Sequence, residues 1–159
     1  TISAITTYFV AGEYRDLFKA RKLERTIDNL KDHVIVCGYG RVGEKAYADL
    51  TAKGYTAVIV EKDEELVGHL RDDLTPLVIA GDATRDDRLI AAGVDQACAV
   101  ICTLPSDADN LYTVLSVREH NPKAVIISRA SQAGSQAKLR RAGADNVIMP
   151  DTVGGAHMA

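Results

Sequence analysis

The chain has 159 residues, 47% of them hydrophobic and 26% charged, with a formal net charge of −3. This composition excludes a disordered polymer, and the length is sufficient for one domain with its own core. The slight acidity gives no electrostatic support to nucleic-acid binding. Three cysteines lie in apolar runs and are expected to be reduced core residues: Cys37, Cys98 and Cys102. Cys98 and Cys102 are predicted to share one face of a single strand.

The first 32 residues change abruptly in character. Residues 1–12 are uncharged and largely apolar, but a membrane-spanning helix needs about twenty apolar residues. Residues 13–32 are densely charged, and Leu23, Ile27 and Leu30 recur at helical spacing. Two interpretations remain open. One is an amphipathic surface helix, which the pattern alone favours, and the other is the end of a membrane helix followed by basic residues on its cytoplasmic side.

A strand, a glycine motif and a helix follow in immediate succession. The apolar run Val34–Cys37 predicts a short buried strand, and the spacing G-x-G-x-x-G follows at Gly38, Gly40 and Gly43. Residues 42–53 have helical composition. In a dinucleotide-binding turn the first glycine permits the tight bend and the second lets a pyrophosphate approach the backbone. The third lets the helix pack closely on the strand, and the first helical turn then favours an anion.

Strands and helices alternate through the rest of the chain. We predict strands at 56–60, 77–80, 97–103, 124–128 and 146–149, and helices at 63–74, 85–92, 107–121 and 132–142. The strands are short, continuously apolar and rich in valine and isoleucine, which is typical of a parallel sheet covered by helices on both faces. With right-handed crossovers, the predicted α/β fold is a doubly wound parallel sheet (Rossmann fold) with strand order 3-2-1-4-5-6. The apolar side of the helix at 107–121 is expected to carry Leu111, Val114, Leu115 and Val117.

Such folds bind ligands beyond the carboxyl ends of their strands, where strands one and four diverge. In this chain nearly all the residues at those ends are polar or glycine, whereas the strands behind them are apolar. We therefore expect these residues to form one binding site. The predicted site comprises Gly38, Tyr39, Gly40, Arg41, Val42, Gly43, Glu61, Lys62, Asp82, Ala83, Thr84, Thr103, Leu104 and Arg129.

Several of these side chains have expected roles. Glu61 stands about twenty residues beyond the glycines, where an acid accepts hydrogen bonds from ribose hydroxyls and repels a 2′-phosphate. Lys62 would weaken that repulsion. Arg41 would bind phosphate oxygens. Asp82 is expected either to contact the ligand or to cap the next helix, and Arg129 suits a polyphosphate or an acid from a partner subunit.

No catalytic constellation is visible in the sequence. None of the four histidines is expected beside an acid or a nucleophile: His33, His69, His120 and His157. No metal-ligand spacing is present, and Asp107 is expected to act as a helix cap. A nucleotide site without catalytic residues predicts a sensor rather than an enzyme.

Five segments together resemble the RCK domain, the regulator-of-potassium-conductance or Trk-N type of nucleotide-binding domain. They are residues 33–43, 61–63 and 81–84, the Thr103-Leu104 end of strand four, and the segment 140–150. The resemblance implies four parts. They are the truncated end of a pore-lining membrane helix at 1–12, a charged helical linker at 13–32, an RCK N-terminal Rossmann domain at 33–150, and the start of a crossover helix at 151–159. It thus reverses the preference for an amphipathic surface helix at the N-terminus.

The resemblance also implies a function. The expected protein is a regulatory domain of a prokaryotic potassium channel, on the cytoplasmic face of the cell membrane. It would bind NAD(H) or an adenine nucleotide (AMP, ADP or ATP) and couple occupancy to pore gating. The implied partners are the channel pore and other RCK domains, as a homodimer and in an octameric ring. Calcium-opened relatives carry acids near the end of strand five, whereas residues 128–131 hold no carboxylate here, so no metal site is expected.

Two alternative functions stay open, and so does the role of three side chains on one helix. The chain could be the soluble regulatory subunit of a Trk/Ktr-type potassium uptake system, or a fragment of an NAD-dependent oxidoreductase. For Leu111, Tyr112 and Leu115, a domain–domain face competes with ordinary core packing, which the sequence alone favours.

Overall fold

The computed structural model describes residues 21–23, 25–73 and 76–150. The predicted membrane-helix end at 1–12, the linker residues 13–20 and the predicted crossover-helix start at 151–159 lie outside the described residues. The domain boundaries there therefore stay predictions.

Six parallel strands form one sheet in the order β3-β2-β1-β4-β5-β6, which confirms the predicted doubly wound topology. The strands are short and apolar. The side chains of the central strands are buried on both faces of the sheet, as expected for a parallel sheet covered by helices. The strands are β1 (Val34–Cys37), β2 (Ala57–Glu61), β3 (Leu77–Ala80), β4 (Ala99–Cys102), β5 (Val125–Arg129) and β6 (Asn146–Ile148).

One helix precedes β1, and the others connect successive strands. The first, α1, is described at residues 21–23 and 25–28, and a 3₁₀ turn, Val94–Gln96, precedes β4. The others are α2 (Arg41–Ala52), α3 (Glu64–Asp72), α4 (Asp86–Ala91), α5 (Asp107–His120) and α6 (Ala133–Ala142). Across the described part of the chain, no helix combines the length and the apolar character that crossing a membrane requires.

Alternate side chains of the strands enter two hydrophobic clusters on opposite faces of the sheet. In β2, Val58 and Val60 belong to the larger cluster, whereas Ile59 belongs to the smaller one. The helix α1 joins the larger cluster through Ile27, which is only 1% exposed. Leu23 and Leu30 pack against the same cluster, so the helical stripe seen in the sequence attaches α1 to the domain.

The fourth strand differs from its predicted extent. The 3₁₀ turn delays the strand, and β4 begins at Ala99. Cys98 precedes β4, so the prediction that Cys98 and Cys102 share one strand is wrong. Cys102 is instead the register partner of Cys37 on β1, and both side chains are fully buried. A hydrogen bond from Cys102 and burial raise the pKa of the Cys37 thiol, which fits a core cysteine.

The apolar side of α5 was also predicted incorrectly at one position. Val114 and Val117 are fully buried, but Leu115 is 50% exposed and Tyr112 is 58% exposed. Core packing therefore does not account for these two side chains. The sheet-facing side of α5 instead includes the polar Thr113, whose hydroxyl donates to the Asp109 carbonyl oxygen at 2.8 Å. Because helix carbonyls satisfy such side chains, they can be buried and obscure the apolar periodicity.

Candidate functional site

The glycine turn after β1 has the geometry that its sequence predicts. Gly38 has φ +93°, a conformation that favours glycine. A Cβ on Gly43 would overlap the Gly38 carbonyl oxygen, so only glycine allows α2 to approach β1 this closely. A Cβ on Gly40 would instead meet nothing within 4 Å. The turn is therefore closed on the protein side and open at Gly40.

Thr103 holds this turn from the neighbouring strand. Its hydroxyl lies 3.0 Å from the carbonyl oxygens of both Cys37 and Gly38, and its amide donates to the Cys37 carbonyl at 2.9 Å. The residue is only 4% exposed. Thr103 thus shapes the glycine turn through its hydroxyl, which is already committed to backbone acceptors.

The N-terminus of α2 is uncapped. Its N-cap residue, Gly40, has no side-chain oxygen to accept from the first amides. By contrast, the Asp63 carboxylate accepts from the amides of Glu65 and Leu66 at the start of α3. The Ser106 hydroxyl does the same for α5. The amides at the start of α2 therefore remain available to an external anion.

Asp107 is a helix cap, as predicted, but it caps the following helix rather than the one in which it lies. Its carboxylate accepts from the amide of Ser131 at 2.9 and 3.0 Å and from that of Gln132 at 3.1 Å, just before α6. Burial opposes the charge, but these amides and the Ser135 hydroxyl together lower the pKa of Asp107. An acid of the protein thus already occupies the N-terminus of α6.

Glu61 is the last residue of β2 and lies directly beside the glycine turn. The end of β2 pairs with the strand before the turn, since Val60 is the register partner of Cys37 and its carbonyl oxygen accepts from the Gly38 amide at 2.9 Å. Partial burial raises the pKa of the Glu61 carboxyl, while nearby backbone amides and the ammonium group of the next residue act against that rise. The Glu61 carbonyl oxygen accepts from Gly81 at 2.9 Å, which also connects the end of β2 to the turn after β3. Glu61 is therefore a positioned acceptor between two loops of the predicted site.

Tyr39 packs the glycine turn onto α2. Its ring meets that of Tyr47 edge to face, with centroids 5.9 Å apart and an interplanar angle of 74°. Both rings pack against the smaller hydrophobic cluster. Burial and the negative charge of Glu44 raise the pKa of Tyr39. The side chain of Tyr39 therefore has a packing role.

Asp82 fixes the turn after β3. Its Oδ1 accepts from the Thr84 amide at 2.9 Å and from the Thr84 hydroxyl at 2.8 Å. The Thr84 amide lowers the pKa of Asp82 most, and burial works in the opposite direction. The alternative that Asp82 caps the next helix is not met, because Arg85 is the N-cap residue of α4 and makes no side-chain cap. Ala83, between Asp82 and Thr84, is only 2% exposed.

The remaining predicted residues lie around these loops. Arg41 and Lys62 are exposed, while Val42, Leu104 and Arg129 are partly buried. Sequence reasoning missed Asn110, which is fully buried and bonds to the backbone of both Leu104 and Arg129. The sequence did offer a signal for Asn110: a polar amide side chain near the start of the predicted helix at 107–121, at helical spacing from the apolar Val114 and Val117.

Three of the four histidines lie in the described part of the chain, and the prediction that none lies beside an acid was wrong. His120 does lie near an acid, with its Nε2 3.6 Å from the Asp86 Oδ1. His69 lies 4.0 Å from Glu65 on the exposed face of α3. His33 is a core residue whose Nε2 is 2.8 Å from the Ala92 carbonyl oxygen. Among the described residues, no three histidine, cysteine or acidic side chains are grouped so that they could hold a metal ion.

The family model of the TrkA-N domain matches residues 34–150, which include every strand of the sheet. The chain belongs to the TrkA-N domain family. This confirms the resemblance to the RCK, or Trk-N type, domain on which the functional expectations depend. The fold agrees as well, since the TrkA-N domain of the Escherichia coli inner membrane protein YbaL superposes with a TM-score of 0.77 at 28% identity, covering 82% of this chain and 96% of that one.

Other relatives of this TrkA-N domain are potassium-transport proteins. It is 36% identical to potassium channel protein 1 of Methanocaldococcus jannaschii over 160 residues, which cover 100% of this chain and 48% of the relative. The chain thus spans about half the length of that relative. GsuK bound to ADP superposes with a TM-score of 0.70 at 25% identity, over 77% of this chain and 32% of that one. The Kef C-terminal domain of Shewanella denitrificans in its AMP-bound form also gives 0.70 at 25% identity, over 79% and 75% of the two chains.

Proposed function

We propose that this TrkA-N domain is a regulatory module that binds an adenine nucleotide or NAD(H) at the glycine turn. The observation that carries the proposal is the position of Glu61 at the end of β2, directly after Val60, whose carbonyl oxygen accepts from the first amide of the glycine turn, that of Gly38. An acid at the end of the second strand accepts hydrogen bonds from the hydroxyls of an adenosine ribose. The same negative charge disfavours a 2′-phosphate, so NADP is the poorer ligand.

The uncapped N-terminus of α2 supports a phosphate position next to this ribose site. Gly40 leaves open space where a side chain would stand, so a pyrophosphate can approach the amides of the first turn. The exposed Arg41 adds a guanidinium at the same turn. Relatives bound to ADP and to AMP add weight to this assignment.

Nucleotide binding at this site is expected to regulate a membrane pore. The relative from M. jannaschii is a potassium channel protein, which supports a role at such a channel. From the resemblance to RCK domains we infer that this domain acts on the cytoplasmic face of a prokaryotic cell membrane, paired with other RCK domains in a homodimer and an octameric ring. A ligand shifts such an assembly only if it binds one conformation better than another. A tenfold preference corresponds to about 1.4 kcal/mol per site, and several sites in one ring would add.

We favour binding over catalysis, because the loops at the site supply ligand contacts and helix caps rather than an acid–base pair. A soluble subunit of a Trk/Ktr-type uptake system remains the second candidate. It has the same site, and it differs in whether residues 1–12 continue upstream as a membrane helix.

Calorimetric titration of the chain with NAD⁺, NADH, AMP, ADP and ATP tests the proposal. We expect saturable binding of at least one of them, with the affinity reduced about tenfold or more in Glu61→Ala, because a hydrogen bond to a charged group is worth about 1.5–3 kcal/mol. Glu119→Ala, which removes an exposed acid from α5, is the matched control and should bind as the wild type does. Absence of binding to all five would overturn the proposal while leaving the fold unchanged.

A further inference from the structure

Asn110 lies in the first turn of α5 and is fully buried. Its amide group pairs with the peptide groups of Leu104 in both directions. The Leu104 amide donates to Oδ1 at 2.9 Å, and Nδ2 donates to the Leu104 carbonyl oxygen at 2.9 Å. The Nδ2 also reaches the carbonyl oxygen of Arg129 at 3.3 Å. One side chain therefore satisfies polar backbone groups at the ends of both β4 and β5.

The same helical turn holds the adjacent loop through a second side chain. Asp107 accepts hydrogen bonds from the amides of Ser131 and Gln132. Together, Asp107 and Asn110 hold the loop after β4 and the loop after β5 in one arrangement. Leu104 and Arg129 belong to the predicted site. The positions of these two loops therefore determine the shape of the predicted site on its β4–β5 side.

We propose that Asn110 is a positioning residue for nucleotide binding, which keeps Leu104 and Arg129 where a bound nucleotide needs them. The inference rests on the proposed function. Asn110 does not contact the ligand, because it is buried and both of its amide heteroatoms are used by the backbone. Removing its amide leaves the amide and carbonyl of Leu104 without their partner, and such groups regain hydrogen bonds only by admitting water or by moving.

The opposite end of α5 offers a matched control. Asn121, the C-cap residue, is also buried, and its Nδ2 donates to the carbonyl oxygens of Val94 and Ala97 at 2.9 Å each. Its Oδ1 accepts from the amides of Lys123 and Ala124 at 3.1 Å. The two asparagines thus hydrogen-bond to backbone in the same way, but Asn121 does so before the amino ends of β4 and β5, at the opposite ends of these strands from the glycine turn.

The test compares Asn110→Ala, Asn110→Ser and Asn121→Ala in the whole 159-residue chain. Thermal unfolding and calorimetric ADP titration are measured for each. We expect all three to lower the melting temperature, since each leaves buried backbone groups unsatisfied. Only the Asn110 variants should raise the Kd for ADP, by about tenfold or more, while Asn121→Ala stays within about twofold of the wild type. Asn110→Ser decides the comparison if Asn110→Ala does not fold.

Two results would overturn the inference, and they are distinguishable. If the wild type binds ADP and the Asn110 variants bind it as well as Asn121→Ala does, Asn110 has only a structural role and the proposed function stands. If the wild type binds neither adenine nucleotides nor NAD(H), the proposed function fails and the positioning role fails with it.

Discussion

The backbone amide of Gly38 donates to the carbonyl oxygen of Val60 at 2.9 Å, which joins the end of β2, next to Glu61, directly to the glycine turn after β1. The two parts of the proposed nucleotide site, the expected ribose acceptor and the expected phosphate-binding turn, are therefore connected before any ligand binds. Preorganisation of this kind reduces the ordering cost of binding. It also brings a carboxylate into a partly buried position, which has a measurable consequence for stability.

Glu61→Gln should bind ADP more weakly and yet be at least as stable as the wild type near neutral pH. Because the folded-state pKa of Glu61 is raised above its ordinary value of 4.5, its contribution to stability is present below that value. The contribution is lost as the pH rises through the raised folded-state pKa. The melting temperature of the variant minus that of the wild type should therefore be larger at about pH 7 than at about pH 4. An equal difference at both values would show that burial of this charge costs nothing.

Gly43→Ala should strongly destabilise the fold, because the new Cβ would overlap the Gly38 carbonyl oxygen, an atom of the backbone that cannot easily move aside. We expect a loss of about 3 kcal/mol or more in the free energy of unfolding, measured by chemical denaturation. Retention of wild-type stability would mean that α2 does not pack on β1 as described.

Gly40→Ala should behave in the opposite way. The added Cβ meets nothing within 4 Å, so stability should stay within about 0.5 kcal/mol of the wild type. The affinity for ADP should fall about tenfold or more, because the methyl group takes the space through which a pyrophosphate approaches the amides. Gly134→Ala, also in open space but on α6, is the control: it should leave the affinity for ADP unchanged and raise stability by up to about 1 kcal/mol, because alanine favours a helix over glycine. Unaltered ADP binding by Gly40→Ala would place the phosphates elsewhere.

Asp107→Ala should uncap α6 and cost about 1 kcal/mol of stability near neutral pH. The folded-state pKa of Asp107 is lowered below its ordinary value of 3.8, so its contribution is present above that value and is lost as the pH falls through the lowered folded-state pKa. Denaturation midpoints of variant and wild type should thus converge in strong acid. Midpoints that differ as much in acid as at neutrality would argue against a role for the charge.

The fold and the glycine turn could be predicted because their determinants are local. The run Val34–Cys37 and the three glycines that follow specify a strand, a turn and a helix start within ten residues. The strand order then follows from the handedness of the crossovers. Burial at Leu115 was mispredicted because the sheet-facing side of α5 includes polar side chains bonded to its own backbone.

The supporting contacts of the site could not be predicted because their partners are distant in sequence. Asp107 reaches amides 24 and 25 residues further along the chain, and Asn110 reaches Arg129 across 19 residues. No spacing rule encodes such pairs, since they exist only once β4 and β5 lie side by side. Glu61 was predicted to be a ribose acceptor from its position, but its partial burial and the raised pKa of its carboxyl became apparent only in the structure.

The most direct test of an adenine-nucleotide site at the glycine turn is to locate bound ADP by nuclear magnetic resonance. Backbone amide resonances of the isotopically labelled chain are followed during a titration with ADP. We expect saturable shifts at Gly40, Arg41 and Val42, where the uncapped helix would meet the phosphates, and at Lys62 beside the proposed ribose acceptor. Shifts confined to other parts of the chain, or no saturable shifts at all, would contradict an adenine-nucleotide site at the glycine turn.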